Sequence, residues 1–169
     1  PAPIALRRGT ALWPWFSLTT EYPPPRTDYA WPPFQPGRPI PTRDDLARIA
    51  GFGFDFVRLP LDPGPFVAFT GARRAELLGT LSEAVVAALA AGLRVLVNVQ
   101  ANAATHHYTP GAFYDSDRAP LFAAYRDLVG DLARLCARKG TDRLALEPVN
   151  EPPQACGAGA WNRVQAGLL

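Results

Sequence analysis

Apolar and polar positions follow two patterns along the chain. Short, mostly apolar runs predict buried strands, and longer runs with apolar positions at helical spacing predict helices. Strands are predicted at residues 6–12, 55–60, 93–99 and 144–151. Helices are predicted at residues 44–50, 74–91, 120–138 and 161–169. Because strands that alternate with helices build parallel sheets with right-handed connections, the pattern predicts an α/β fold of four strand–helix units.

Two architectures fit this alternation: a doubly wound sheet, and half of a (β/α)₈ barrel of the TIM-barrel type. Residues 8–11, Arg-Gly-Thr-Ala, lack the G-x-G-x-x-G spacing of a nucleotide-binding loop, which disfavours the doubly wound fold. A complete barrel has about 250 residues. The 169 residues are therefore interpreted as a single unit, the amino-terminal half of a barrel, whose first and fourth strands have unpaired edges.

A proline-rich stretch at residues 13–41 interrupts the pattern. Proline lacks a backbone N–H and fixes φ, so no regular structure is predicted there. The stretch is also rich in aromatic residues, which suit either a binding wall or simple packing over the end of the barrel. These aromatic residues are Trp13, Trp15, Tyr22, Tyr29, Trp31 and Phe34.

Composition and charge indicate which classes of partner and which cellular location to expect. Hydrophobic residues make up 48% and charged residues 19%, as in globular proteins. No apolar run reaches the length of a membrane span, and the net charge of +2 comes from scattered arginines, so neither membrane nor nucleic acid is an expected partner. Two cysteines, Cys136 and Cys156, are too few for a disulfide framework, and whether they pair stays open. The first residues, 1–3, follow either a cleaved leader, as in a secreted or periplasmic bacterial protein, or a fragment boundary.

Polar residues cluster where the predicted strands end. Arg58 lies late in the second strand, Gln100 follows the third, and Asn150 and Glu151 end the fourth. In (β/α)₈ barrels the carboxyl ends of the strands build the active site. An arginine inside an apolar run is costly unless it is paired, and Glu147 across the barrel is a candidate partner for Arg58.

The fourth predicted strand ends in the motif Leu-Glu-Pro-Val-Asn-Glu-Pro at residues 146–152. This motif is similar to the acid/base signature of the glycoside hydrolase family 5 cellulases. Arg8-Gly9 resembles the family's opening motif, and Phe-Val-Arg-Leu-Pro at 56–60 resembles its second-strand motif. Residues 121–138 resemble its third helix, so the resemblance covers nearly the whole chain.

The resemblance implies a retaining β-glycosidase that acts on a β-1,4-glucan or a related polysaccharide, without a cofactor or metal. It implies that Glu151 is the general acid/base, that Asn150 binds sugar, and that Arg58 supports the nucleophile. A retaining acid must stay protonated, and an apolar, aromatic surround is expected to raise the pKa of Glu151. The family carries its nucleophile, a second Glu, on the seventh strand, which this sequence does not include.

No other carboxylate of the chain is a convincing nucleophile. Glu147 precedes Glu151 by four residues, roughly 13 Å along a strand at about 3.3 Å per residue. Retaining chemistry needs carboxyl groups about 5–5.5 Å apart. The expected partners are thus a polysaccharide or oligosaccharide substrate and the missing carboxyl-terminal half barrel, and these 169 residues alone are expected to be inactive.

The predicted substrate contacts include Gln100, which stands where the family usually has a histidine, and His106 and His107 in the following loop. Aromatic side chains are predicted as stacking platforms for sugar rings. These side chains are Trp13, Trp15, Trp31 and Tyr108. Two alternatives remain: a non-catalytic carbohydrate-binding half barrel, and a metal-dependent hydrolase that uses the His106–His107 loop with Asp115 and Asp117.

Overall fold

A computed structural model describes residues 4–26, 28–101, 108–140, 142–152 and 159–168. The strands are β1 (Gly9–Ala11), β2 (Thr19–Glu21), β3 (Tyr29–Phe34), β4 (Phe56–Leu61), β5 (Arg94–Val99) and β6 (Leu144–Glu147). The helices are α1 (Arg43–Gly51), α2 (Pro63–Ala68), α3 (Gly71–Ala90), α4 (Pro110–Phe113), α5 (Phe122–Lys139) and α6 (Gly159–Leu168).

Four parallel strands form the central sheet in the order β1-β4-β5-β6. Helices α1, α3 and α5 connect successive strands of this sheet. The prediction of an α/β half barrel is therefore confirmed.

The strand register separates two faces of the sheet. The side chains that face the helices are apolar and buried. They include Val57, Leu59, Val95, Val97 and Leu144. The opposite face is the interior of the barrel, and register places Pro60, Asn98 and Glu147 there in one row across β4, β5 and β6. Arg58 lies two residues before Pro60, so it belongs to this interior face as well.

Local signals set the beginning of two elements on the amino-terminal side of the sheet. The Thr42 hydroxyl accepts a hydrogen bond from the Asp45 backbone N–H, which forms a capping box at the start of α1. The Asp55 carboxylate accepts backbone N–H bonds from Arg7 and Arg8, the latter at 2.8 Å. These bonds, the one from Arg8 above all, lower the pKa of Asp55. They fix the approach to β1 against the start of β4.

The prediction that residues 13–41 lack regular structure is wrong, since β2 and β3 form an antiparallel hairpin there. Register shifts between the pairs Thr19↔Phe34 and Glu21↔Tyr29, so four residues of β3 oppose one of β2. Pro32 lies in this bulge, where no ladder hydrogen bond is required of it. The hairpin is held onto the sheet because the Thr19 hydroxyl donates to the buried Asp62 carboxylate, 2.7 Å away.

Three further differences concern the ends of β4, β5 and β6. β6 stops at Glu147 rather than continuing to residue 151, because Pro148 has no N–H to donate to the ladder. The short helices α2 and α4, which follow β4 and β5, were not predicted.

Cys136 is a buried free thiol on α5, whereas Cys156 lies outside the described residues. Across the described ranges, no helix is both long and apolar enough to cross a membrane.

Candidate active site

Arg58 organises the polar cluster at the carboxyl ends of the strands. Its Nε and Nη2 atoms donate to the two carboxylate oxygens of Glu147, at 3.0 and 2.9 Å. Nη2 also donates to Asn150 Oδ1 at 2.6 Å, and Nη1 reaches Gln100 Oε1 at 3.4 Å. The guanidinium therefore connects β4 to the ends of β5 and β6, and the pairing with Glu147 that the sequence suggested is present.

The Arg58–Glu147 pair has the geometry of a strong ion pair. Two parallel charge-assisted hydrogen bonds fix both side chains in one orientation. The two residues lie on β4 and β6, which are separated in the sheet by β5. In a barrel, alternate strands contribute side chains to the same interior layer, and this is the relation that brings the two together.

The segment that follows β6 carries the two principal candidates. The Asn150 backbone N–H donates to the Val99 carbonyl at 2.9 Å, so the chain stays beside β5 after the ladder ends. Glu151 has φ of +42°, the one positive φ at a non-glycine residue among the described ranges. This left-handed conformation is uncommon for a glutamate. It turns the chain sharply away from the sheet and leaves Glu151 exposed.

A cavity of about 350 Å³ opens at this end of the sheet. Its lining residues are Trp13, Gln100, Ala101, Pro110, Tyr114, Asn150 and Glu151. Trp13 is 54% exposed, as a stacking platform requires. Burial raises the pKa of Tyr114 to about 12, and the nearby negative charges of Asp115 and Glu151 add to the rise. Tyr114 therefore stays neutral beside Glu151 over the whole working range of a protein.

Three of the predicted aromatic platforms lie elsewhere. Trp15 is 7% exposed and stacks on Phe16, so it packs mainly in the core and does not line the cavity that contains Glu151. Trp31 packs edge-on against Phe69, with the Arg73 guanidinium over its ring. Neither tryptophan lines the cavity that contains Glu151.

Tyr108 is also a packing residue. Its ring stacks on Tyr29 at 5.4 Å and on Phe113 at 5.7 Å. It joins the hairpin to α4 instead of lining the cavity with Glu151. His106 and His107 lie outside the described residues. Among the residues that are described, no group of three His, Cys, Asp or Glu side chains is arranged to hold a metal ion.

Sequence reasoning missed three residues of the cavity: Ala101, Pro110 and Tyr114. A signal for two of them was present. Thr109 followed by Pro110 is a common way to begin a helix, and α4 begins there and delivers Tyr114 to the cavity wall.

A larger groove of about 980 Å³ lies on the outside of the barrel, between α1 and α3. Its walls include Trp15, Ile40 and the alanines of α3. None of the strand-end polar residues described above lines it. The cavity of about 350 Å³ is the candidate active site because Gln100, Asn150 and Glu151 line it.

The parallel half barrel, with an arginine, amides and a glutamate at the ends of its strands, is typical of the (β/α)₈-barrel class of proteins. The family is then given by a sequence comparison. The family model for cellulase, glycosyl hydrolase family 5, matches residues 18–167. The chain belongs to this family. The comparison with curated proteins finds no significant match.

Solved structures with the same fold include several endoglucanases. One is a GH5-4 broad-specificity endoglucanase from an uncultured bovine rumen ciliate, 20% identical with a TM-score of 0.67. Another is endoglucanase Cel5A of Thermotoga maritima, 17% identical with a TM-score of 0.66. A third is PbGH5A of Prevotella bryantii B14, solved with a xyloglucan tetradecasaccharide, 18% identical with a TM-score of 0.65.

These three comparisons also show how much of the domain the chain represents. Each alignment covers 95% of this chain but only 43%, 45% and 47% of the respective neighbour. The chain therefore spans less than half the length of the enzymes that it resembles. The predicted family and the partial barrel are both confirmed.

Proposed function

We propose that the full-length protein is a retaining β-glycosidase that hydrolyses β-1,4-glucan-type polysaccharides. Membership of the cellulase family supports glycosidic-bond hydrolysis, and the xyloglucan bound to PbGH5A suggests a β-glucan backbone as the substrate class. The observation that carries the proposal is the position of Glu151. It lies at the carboxyl end of a barrel strand, in a cavity it shares with the exposed ring of Trp13.

Glu151 is the general acid/base in this proposal. In the first step its carboxyl group donates a proton to the leaving oxygen, and in the second step its carboxylate takes a proton from water. The cavity of about 350 Å³ is open enough for a glycosidic oxygen to approach the carboxyl group. Trp13 presents an apolar face on which a sugar ring stacks through its C–H groups.

Asn150 binds a sugar hydroxyl next to the acid. Its amide oxygen is engaged by Arg58, which leaves the amide nitrogen as the donor toward the substrate. The amide is neutral, so it holds the sugar without drawing the proton from Glu151. Gln100, oriented by the same guanidinium, supplies a second amide to the cavity.

Arg58 supports a nucleophile that lies in the carboxyl-terminal half of the barrel. Of its five N–H donors, three are used on Glu147 and Asn150, and Nη1 makes only the long contact with Gln100. Nη1 therefore has donor capacity for a second carboxylate. Glu147 is not that carboxylate, because it precedes Glu151 by four residues, roughly 13 Å along a strand at about 3.3 Å per residue, whereas retaining chemistry needs carboxyl groups about 5–5.5 Å apart.

Activity of the full-length protein on a panel of β-glucans tests the proposal, with reducing-sugar release as the measurement. We expect Glu151→Gln to lower kcat by about 10²- to 10⁴-fold, the usual contribution of a general acid. Glu76→Gln, on the outer helix α3, is the matched control and should retain full activity. Full hydrolysis by the Glu151→Gln variant would contradict the assignment.

A second measurement distinguishes the acid/base from other essential groups. With Glu151→Ala and an activated aryl β-cellobioside, added azide should restore turnover and give a β-glycosyl azide. Without the base, water attacks the covalent glycosyl-enzyme intermediate slowly, and azide attacks it instead. A β-glycosyl azide therefore indicates a covalent intermediate, which is the retaining pathway. Binding of cello-oligosaccharides without hydrolysis by the wild-type protein would instead favour the carbohydrate-binding alternative. Since polysaccharide substrates lie outside the cell, the proposal places the protein in the periplasm or the medium.

A further inference from the structure

The backbone between β6 and Glu151 determines where the candidate acid points. Residues 148–151 have left the regular ladder, and Glu151 is held in the left-handed region with φ of +42°. A glutamate rests in this region only when its surroundings hold it there. The Asn150 side chain and backbone are tied to Arg58 and Val99, but these contacts do not reach Pro148.

A buried tyrosine on α5 supplies the contact to Pro148. The Tyr125 hydroxyl donates a hydrogen bond to the Pro148 carbonyl oxygen, three residues before Glu151. Tyr125 is 0% exposed. Burial also raises its pKa well above the ordinary value, so the hydroxyl keeps its proton and remains a donor at every working pH.

The ring of Tyr125 is itself fixed by the other wall of the cavity. It packs on Phe113 at 5.4 Å and on Tyr114 at 5.6 Å. Phe113 ends α4, and Tyr114 lines the cavity beside Glu151. One side chain thus connects the segment that carries the acid to the wall that faces it.

We propose that Tyr125 is a positioning residue for Glu151: its hydroxyl fixes the Pro148 carbonyl and thereby the left-handed turn that aims the Glu151 carboxyl group into the cavity. This inference rests on the proposed function of Glu151. Tyr125 touches neither the substrate nor the reacting atoms, and acts only through the backbone of residues 148–151. Small misplacements of a catalytic group lower rates strongly, up to about 100-fold for about 1 Å.

The test compares two leaving groups in the full-length protein. Phenyl β-cellobioside needs protonation of its leaving oxygen, whereas 2,4-dinitrophenyl β-cellobioside leaves without an acid. Tyr125→Phe keeps the ring and removes only the hydroxyl. We expect kcat/KM on the phenyl substrate to fall on the order of 10-fold, and kcat/KM on the dinitrophenyl substrate to change by less than about 2-fold. The measurement is kcat/KM because it reports only the steps up to the covalent intermediate and leaves out the second step, in which Glu151 acts as a base.

The ratio of the two kcat/KM values is measured within one variant, so a partial loss of folded protein cancels from it. Tyr29→Phe is the control, because it removes a buried hydroxyl three rings away in the same aromatic series. Equal losses on both substrates, no loss on either, or the same ratio change in Tyr29→Phe would overturn the proposal. Full activity of Glu151→Gln would instead overturn the proposed function, a result distinguishable from all of these.

Discussion

The ion pair between Arg58 and Glu147 is expected to contribute more to stability than its exposure alone suggests. The two side chains are 28% and 31% exposed and meet through two hydrogen bonds. Opposite charges about 4 Å apart attract by about 4 kcal/mol at an effective dielectric constant of 20, before desolvation is subtracted. After desolvation, side-chain entropy and screening are subtracted, exposed single-contact ion pairs contribute only about 0.2–1 kcal/mol to stability.

Because the pair is bidentate, we expect it to contribute more than the ~0.2–1 kcal/mol of an exposed single-contact pair. Hydrogen bonds to charged groups contribute about 1.5–3 kcal/mol when buried, and partial exposure reduces the figure. A double-mutant cycle with Arg58→Met and Glu147→Gln should therefore give a coupling energy of about 2 kcal/mol. The free energy of unfolding in urea, followed by circular dichroism of the full-length protein, is the measurement.

A second pair on the outer surface provides the matched control. Arg74 and Asp131 join α3 to α5, and their side chains are 25% and 30% exposed, nearly as in the first pair. They share one hydrogen bond, of 2.8 Å, instead of two. The cycle with Arg74→Met and Asp131→Asn should give less than about 1 kcal/mol. Equal coupling energies in the two cycles would refute the argument that bidentate geometry sets the difference.

Two further predictions concern titratable groups away from the cavity. Because backbone N–H bonds lower the pKa of Asp55, the carboxylate stabilises the folded state above its ordinary pKa of about 3.9, and that stabilisation is lost as pH falls through the lowered value. Asp55→Asn should therefore lower the urea midpoint at pH 7, with a difference that shrinks below about pH 4; a constant difference would contradict this. Burial raises the pKa of Cys136 to about 11, so in a Cys156→Ala background the native thiol should resist a disulfide reagent at pH 8 and react only on unfolding. Rapid labelling of the native protein would show that α5 is not packed as described.

The sequence predicted the fold and the central ion pair because both depend on simple periodic relations. Four apolar runs separated by helical runs define a parallel sheet, and each run maps onto one of its strands. Arg58 and Glu147 are both unusual inside apolar strands, and they lie two strands apart. Alternate strands share an interior layer in a barrel, so their contact followed from position alone.

The aromatic residues could not be placed in the same way. Trp13 and Trp15 are two positions apart, and a regular strand would put both on one face. The chain turns at Pro14 instead, which leaves Trp13 at the cavity and buries Trp15. The hairpin was missed for a related reason: proline signals disfavour strands locally, whereas the contact of Thr19 with Asp62 is a tertiary one.

The described half of the barrel arranges its polar cluster without help from the missing strands. Arg58, Glu147 and Asn150 hold one another through hydrogen bonds that all lie within this chain. By contrast, Asn98 is fully buried on the same interior face, and neither polar atom of its amide has a partner among the described residues. An unsatisfied buried amide is costly. In the proposed full-length enzyme we expect the carboxyl-terminal half to supply a carboxylate to Arg58, whereas the hydrogen bonds to Asn150 and Pro148, just before Glu151, lie within the amino-terminal half.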